Sequence, residues 1–312
     1  MPILQYTDEE RERFADFASL LLICRGALRQ VMEQTHMQPS DGSAAHDDIR
    51  ALRIRRPEMH PRVPLLIPIT TETYLYAASE HIGALAALFA REEVLIGPLV
   101  LGRCAIEHCA HTLWILGAGG DEPVDGRVAR ALIDELSGAR EARKQTEGLV
   151  GEDSDDYRHR QTTLEDFEAA AISMFGEPIR VKQRYRLGGQ EYPGHRDLIV
   201  EASRVAKVGL PDRVIRGTYA LMSNSVHPTP HSIRELFHIE QHGNEATATL
   251  ARPADFHENL TKMVVFYFYN ALTYVMSYKG LDPAGHEALG NAIDALMPDL
   301  FVGERAHGPF DQ

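Results

Sequence analysis

LVLGRCAIEHCAHTLWILG, residues 99–117, is the stretch that decides the fold. It is almost wholly apolar, yet Arg103, Glu107 and His111 recur at intervals of four, with Trp114 about one turn further on. That spacing puts the three polar groups on one face of a helix. The helix runs from about Val94 to Leu116, and Gly117, Gly119 and Gly120 stop it. A helix apolar on most faces belongs inside a bundle.

Helical signals dominate on either side. Thr7 caps a first helix that reaches about Met32, with Asp8, Glu9 and Glu10 at its positive end and Phe14, Phe17, Leu20, Leu21 and Leu28 at helical spacing. The pattern breaks from His36 to Pro68, where Pro39, Pro57, Pro61, Pro64 and Pro68 predict a long irregular connection. Further helices are expected over Thr70–Arg91, Asp125–Glu147, Thr163–Met174, Pro211–Ser225, Pro253–Tyr278 and Pro283–Leu296, with residues 151–156 (GEDSDD) as an acidic loop. IRVKQRYRL (179–187) alternates as a strand, and FHIEQ (237–241) and ATATLA (246–251) flank a bend at Gly243 and Asn244. The expectation is an all-α fold, mainly a helical bundle, with a small β-hairpin insertion near 179–187 and 237–251. Residues 1–69 form an N-terminal helix and connection, and 70–312 form the bundle.

Composition narrows the function. The 312 residues carry 45 acidic and 32 basic side chains, a formal net charge of −13, with 44% hydrophobic residues. That is a globular composition, and its acidity argues against a long nucleic-acid track, favouring a local phosphate site instead. Three cysteines without a CxxC pair argue against a disulfide framework or thiolate zinc. MPILQYTDEERERF lacks a signal-peptide pattern, and Met263–Tyr278 is shorter than the ~20 residues of a membrane span. A cytoplasmic protein without a membrane association is expected. Met263–Tyr278 must still be buried, either in a homodimer or at the centre of a monomeric bundle.

Two constellations can carry chemistry. On the 99–117 helix Arg103 and Glu107 can pair, with His111 on the same face, while His108 lies on a stripe about 140° from Arg103. In RGTYALMSNSVHPTPHS (216–232), Tyr219, Ser223 and Asn224 share one side of a helix, with His227 at its end beside Pro228. Charges in the middle of an apolar helix need partners, and these hydroxyls are suitable ones. The two helices are therefore expected to pack side by side, with Tyr219 or Ser223 reaching the Arg103–Glu107 pair. An arginine and a histidine together suit metal-independent phosphodiester cleavage, with the guanidinium stabilising charge and the imidazole moving protons.

The pairing of R-x-x-x-E (Arg103, Glu107) and Trp114 with Y-x-x-x-S-x-x-x-H-P (Tyr219, Ser223, His227, Pro228) resembles a group of all-α bacterial proteins of actinobacterial type, distantly similar to HEPN domains. The resemblance covers about residues 70–280. It implies an RNA- or nucleotide-handling protein, ribonuclease-like, with Arg103 and His108 as the Arg-x4–6-His pair at a dimer interface. The catalytic set on this reading is Arg103, Glu107, His108, His111, Tyr219, Ser223 and His227, with no cofactor. The alternative is a divalent-metal enzyme of small-molecule metabolism, drawing iron, manganese or zinc ligands from Glu80–His81, Glu107–His108, His111, His227, His231 and Glu235–His238. A non-enzymatic helical ligand- or partner-binding protein is the third reading. The arginines at 50, 53, 55, 56 and 62 and the basic face of 179–187 could add a phosphate strip, or could simply charge a sheet edge.

Overall fold

The computed structural model describes residues 6–55, 62–117, 123–181, 184–207, 210–226, 230, 237–242, 245–250, 254–298 and 300, without the side chains of 180, 181, 184, 237–242, 245–250 and 285. Its α-helices, in chain order, are α1 (Asp8–Thr35), α2 (Ala44–Arg55), α3 (Leu66–Ala90), α4 (Gly97–Leu116), α5 (Val124–Val150), α6 (Asp155–Phe175), α7 (His195–Val205), α8 (Asp212–Val226), α9 (Ala254–Lys279) and α10 (Ala284–Leu296). Two small sheets join them: β1 (Ile179–Val181), β2 (Arg184–Leu187) and β3 (Gln190–Glu191) in that order, and a hairpin of β4 (Phe237–His242) with β5 (Glu245–Leu250). The fold is thus all-α with small β insertions.

Local chemistry sets the helix ends. Thr7 and Glu10 form a capping box: the Thr7 hydroxyl accepts from Glu10 N–H at 3.2 Å, and the Glu10 carboxylate accepts from Thr7 N–H at 2.9 Å. The α4 helix stops at Gly117, as its sequence indicates. Acidic 151–156 is not the expected loop throughout. Ser154 caps α6 by accepting from Tyr157 N–H at 3.1 Å, and Asp155 and Asp156 occupy the first turn, where carboxylates are favoured. Similarly, α3 begins at Leu66 and includes Pro68. A first-turn N–H has no intrahelical acceptor, so a proline there removes no bond.

The 36–68 connection is corrected more substantially, because α2 crosses it as a regular helix. Its buried stripe is Ala45, Asp48, Ile49 and Leu52. The 179–187 strand is also corrected, to a hairpin. Ile179 lies opposite Arg186 and Val181 opposite Arg184, so the segment is two antiparallel strands rather than one continuous strand. A second reversal follows at Gly188 and Gly189, whose φ values of 55° and 79° give the left-handed turn that pairs Leu187 with Gln190. The 237–251 hairpin pairs as read over its described residues, with Phe237 opposite Leu250 and His242 opposite Glu245, while the expected bend at Gly243 and Asn244 lies outside them.

Helix α4 is the axis of the bundle and packs against α3, α5, α7, α8 and α9. Helix α1 covers α3, α9 and α10, and one hydrophobic cluster runs from Tyr6 to Met297, so the N-terminal helix shares the bundle core. Val264, Val265, Phe268, Leu272, Val275 and Tyr278 of α9 are buried within the chain itself. That apolar circumference therefore needs no second copy to cover it. Helix α6 lies along α5 as a two-helix hairpin, and β2 and β3 rest on α5. Among the described residues, no helix is long and apolar enough to cross a membrane.

Candidate acid–base site

The polar face of α4 meets α8 as its sequence predicts. Arg103 Nε donates to Glu107 Oε1 at 2.8 Å, and Arg103 Nη2 donates to the Tyr219 hydroxyl at 3.1 Å. Tyr219 in turn donates to Glu107 Oε1 at 2.5 Å. The triangle is closed: each group neutralises or satisfies the next, as charges on a half-buried helix face require. Burial works against the Arg103 charge, but Glu107 and Tyr219 outweigh it and raise its pKa. Burial, then Glu107, raises that of Tyr219. Ser223 lies one turn beyond, its Oγ buried and close enough to bear on the Tyr219 hydroxyl. His227 and Pro228 lie outside the described residues, as do His231 and Glu235.

One turn along α4, His111 faces a different partner. Its Nδ1 lies 2.8 Å from Asp134 Oδ2 on α5. A carboxylate only accepts, so Nδ1 carries a proton, and in the neutral imidazole Nε2 then keeps its lone pair. Tyr74 of α3 lies near Asp134 as well, and burial together with that carboxylate pushes the Tyr74 pKa up. Tyr74 stacks on the imidazole at 4.7 Å between ring centres, and Tyr192 stacks at 5.6 Å. Trp114 meets Tyr192 edge-on at 5.7 Å and so backs the site.

The residues that complete the site are ones the sequence reading passed over. Tyr192 and His195 stand on either side of Gly194, whose φ of 82° turns the chain sharply from β3 into α7. Their side chains join through Tyr192 Oη and His195 Nδ1 at 3.0 Å. Burial lowers the His195 pKa, while Glu107 and Asp134 push the other way and His111 and Arg103 add to the lowering. His195 therefore feels both constellations, the Arg103–Glu107 pair and the Asp134–His111 pair. Leu198, Ile199, Ala202 and Val205, at helical spacing behind Gly194, were the available signal for α7. Asp134 had a weaker one, a carboxylate in the apolar half of α5.

These residues enclose a half-open cavity of about 480 Å³, lined by Tyr74, His111, Asp134, Ser137, Gly138, Glu141, Tyr192, Gly194 and His195. Ligand pockets are typically of this size. His108 is not part of it. Its ring stacks on His81 at 5.3 Å and lies 5.7 Å from Tyr74, so it faces α3, whereas Arg103 faces α8. The Arg-x4-His pair is thus not assembled on one target within this chain, as the 140° offset along the helix requires. Among the described residues, no group of three or more His, Cys, Asp or Glu side chains is arranged to hold a metal ion. Glu80 is bound by Arg25 at 2.7 and 2.8 Å. Three of the cations considered for a phosphate strip are partnered: Arg50 with Asp47, Arg55 with Asp125 and Arg186 with Glu191.

The histidine cluster makes a pH prediction. Burial, then His81 and His111, push the His108 pKa down to about 4, and burial lowers that of His81. Between pH 6.5 and about 4 the unfolded chain holds a proton that folded His108 refuses. Stability therefore falls as pH drops through that window, by up to about 3 kcal/mol from this residue. Urea unfolding at pH 7 and pH 4.5 should show a smaller acid loss in His108→Asn than in the parent. Equal losses would exclude His108 as a source.

No protein-family model, curated protein or solved structure matches the chain.

Proposed function

We propose that the protein is an acid–base enzyme acting on a small molecule, with His111 as the proton-transferring group and Asp134 as the residue that positions it. The observation that carries this reading is the 2.8 Å bond between His111 Nδ1 and Asp134 inside the cavity. It fixes the tautomer, leaves Nε2 basic, and stabilises the imidazolium formed when a proton is taken. The stacked rings of Tyr74 and Tyr192 restrain the imidazole plane. His111 can then deprotonate a bound substrate or an attacking water and return the proton to a leaving group.

This geometry supports proton transfer better than Arg–His phosphodiester cleavage, because the Arg103 guanidinium is already engaged by Glu107 and Tyr219. The small scale of the target agrees with the acidity of the whole chain. The free state of Cys24, Cys104 and Cys109 supports a cytoplasmic setting. The test is a panel of small esters, amides and proton-transfer substrates. His111→Ala should lose turnover by about 10²–10⁴-fold, and Asp134→Asn should lose a large part of it, both with unchanged far-ultraviolet circular dichroism. A folded His111→Ala variant that turns over as the parent does would remove the proposal.

A further inference from the structure

We infer that the cavity selects an organic cation, an amine carried on a flat or apolar body, over neutral and anionic molecules of the same shape. The inference rests on the acid–base reading for the site but concerns what the site admits. Two carboxylates line the cavity, Asp134 and Glu141, while no lysine or arginine does. Asp134 is committed to His111. Glu141 is exposed and its side chain is bonded weakly, by Gln145 at 3.3 Å from the next turn of α5, so its charge is available at the rim.

Arg103 is matched by Glu107 at 2.8 Å, and Arg62 acts on Glu135, which does not line the cavity. His195, exposed at the mouth, has its pKa lowered by partial desolvation. The remaining walls are aromatic rings, one hydroxyl residue and backbone: Tyr74, Tyr192, the two imidazoles and Ser137, with Gly138 and Gly194 adding no side chain. Tyrosine faces attract cations through their quadrupole, and a partly desolvated site strengthens that attraction. Carboxylate and aromatic wall therefore act in the same direction. An anion would meet two like charges and electron-rich rings, with no lysine or arginine in the lining to offset them.

Three matched probes test this by isothermal titration calorimetry at pH 7: phenethylamine as its ammonium ion, 2-phenylethanol and 3-phenylpropionate. The ammonium ion should bind at least about tenfold more tightly than the alcohol, and the carboxylate should bind more weakly than both. Glu141→Gln should cut the ammonium preference several-fold and leave the affinity for the alcohol unchanged. Equal binding of ammonium and alcohol, tighter binding of the carboxylate, or an unchanged preference in Glu141→Gln would overturn the inference. The acid–base reading fails separately: His111→Ala should keep the ammonium preference while losing turnover. Preference without turnover in the parent would sink that reading and leave this one standing.

Discussion

Replacing Asp48 by alanine is expected to destabilise the protein by about 3–5 kcal/mol, read as a lower midpoint of urea unfolding at an unchanged slope. Asp48 is 6% exposed and accepts from Arg127 Nε at 2.8 Å, from Arg127 Nη2 at 2.7 Å and from the Tyr278 hydroxyl at 2.9 Å. Arg127 is 5% exposed and lies over the Tyr278 ring at 5.8 Å. One carboxylate therefore ties α2, α5 and α9 together. Truncating it takes from the buried guanidinium a carboxylate that accepts two of its N–H groups, which costs more than the pair itself contributes. The double change Asp48→Ala with Arg127→Met should accordingly lose less than the sum of the two single changes. A single variant within about 1 kcal/mol of the parent would show that water or another acceptor replaces Asp48, and that the three helices do not depend on it.

The same residue shows why part of this fold was hidden. Helix α2 has an apolar stripe interrupted by Asp48 itself, and prolines stand on both sides of it in the sequence. Periodicity counts apolar positions, so a helix whose buried face includes an ion pair reads as irregular. By contrast α1, α4 and α9 follow regular spacing, and Thr7 and Gly117 mark helix ends by local chemistry alone. The candidate site divides along a similar line. Arg103 and Glu107 are one helical turn apart, so their pairing is written in the spacing, and the need to satisfy them pointed to the hydroxyls of α8. His111 was visible for the same reason. Its partner Asp134 is 23 residues away on another helix, and only tertiary packing brings the two to 2.8 Å. Tyr192 and His195 enter through a tight turn after a short strand, a segment whose fold depends on β3 resting on α5.

The second large effect is expected at the meeting of α4 and α8. Arg103 and Glu107 side chains are 14% and 18% exposed, so Glu107→Ala leaves a mostly buried guanidinium and the Tyr219 hydroxyl without their shared acceptor. A loss of about 2–3 kcal/mol follows, less than at Asp48 because solvent reaches this pair. Tyr219→Phe removes the hydroxyl but keeps the ring stacked near Arg103, and should cost about 1 kcal/mol. Stability alone would not tell an architectural tie from part of the site. His195 does, because the Glu107 carboxylate works to raise its pKa against burial. Glu107→Gln keeps hydrogen-bonding groups at the position and removes the charge. It should retain more stability than Glu107→Ala, yet lower the His195 pKa in an imidazole NMR titration just as the alanine variant does. A His195 titration indifferent to both changes would confine the Arg103–Glu107–Tyr219 triangle to holding α4 against α8. A shift in both would make that triangle a second source of charge for the mouth of the Asp134–His111 cavity, so that the two constellations act on one ligand.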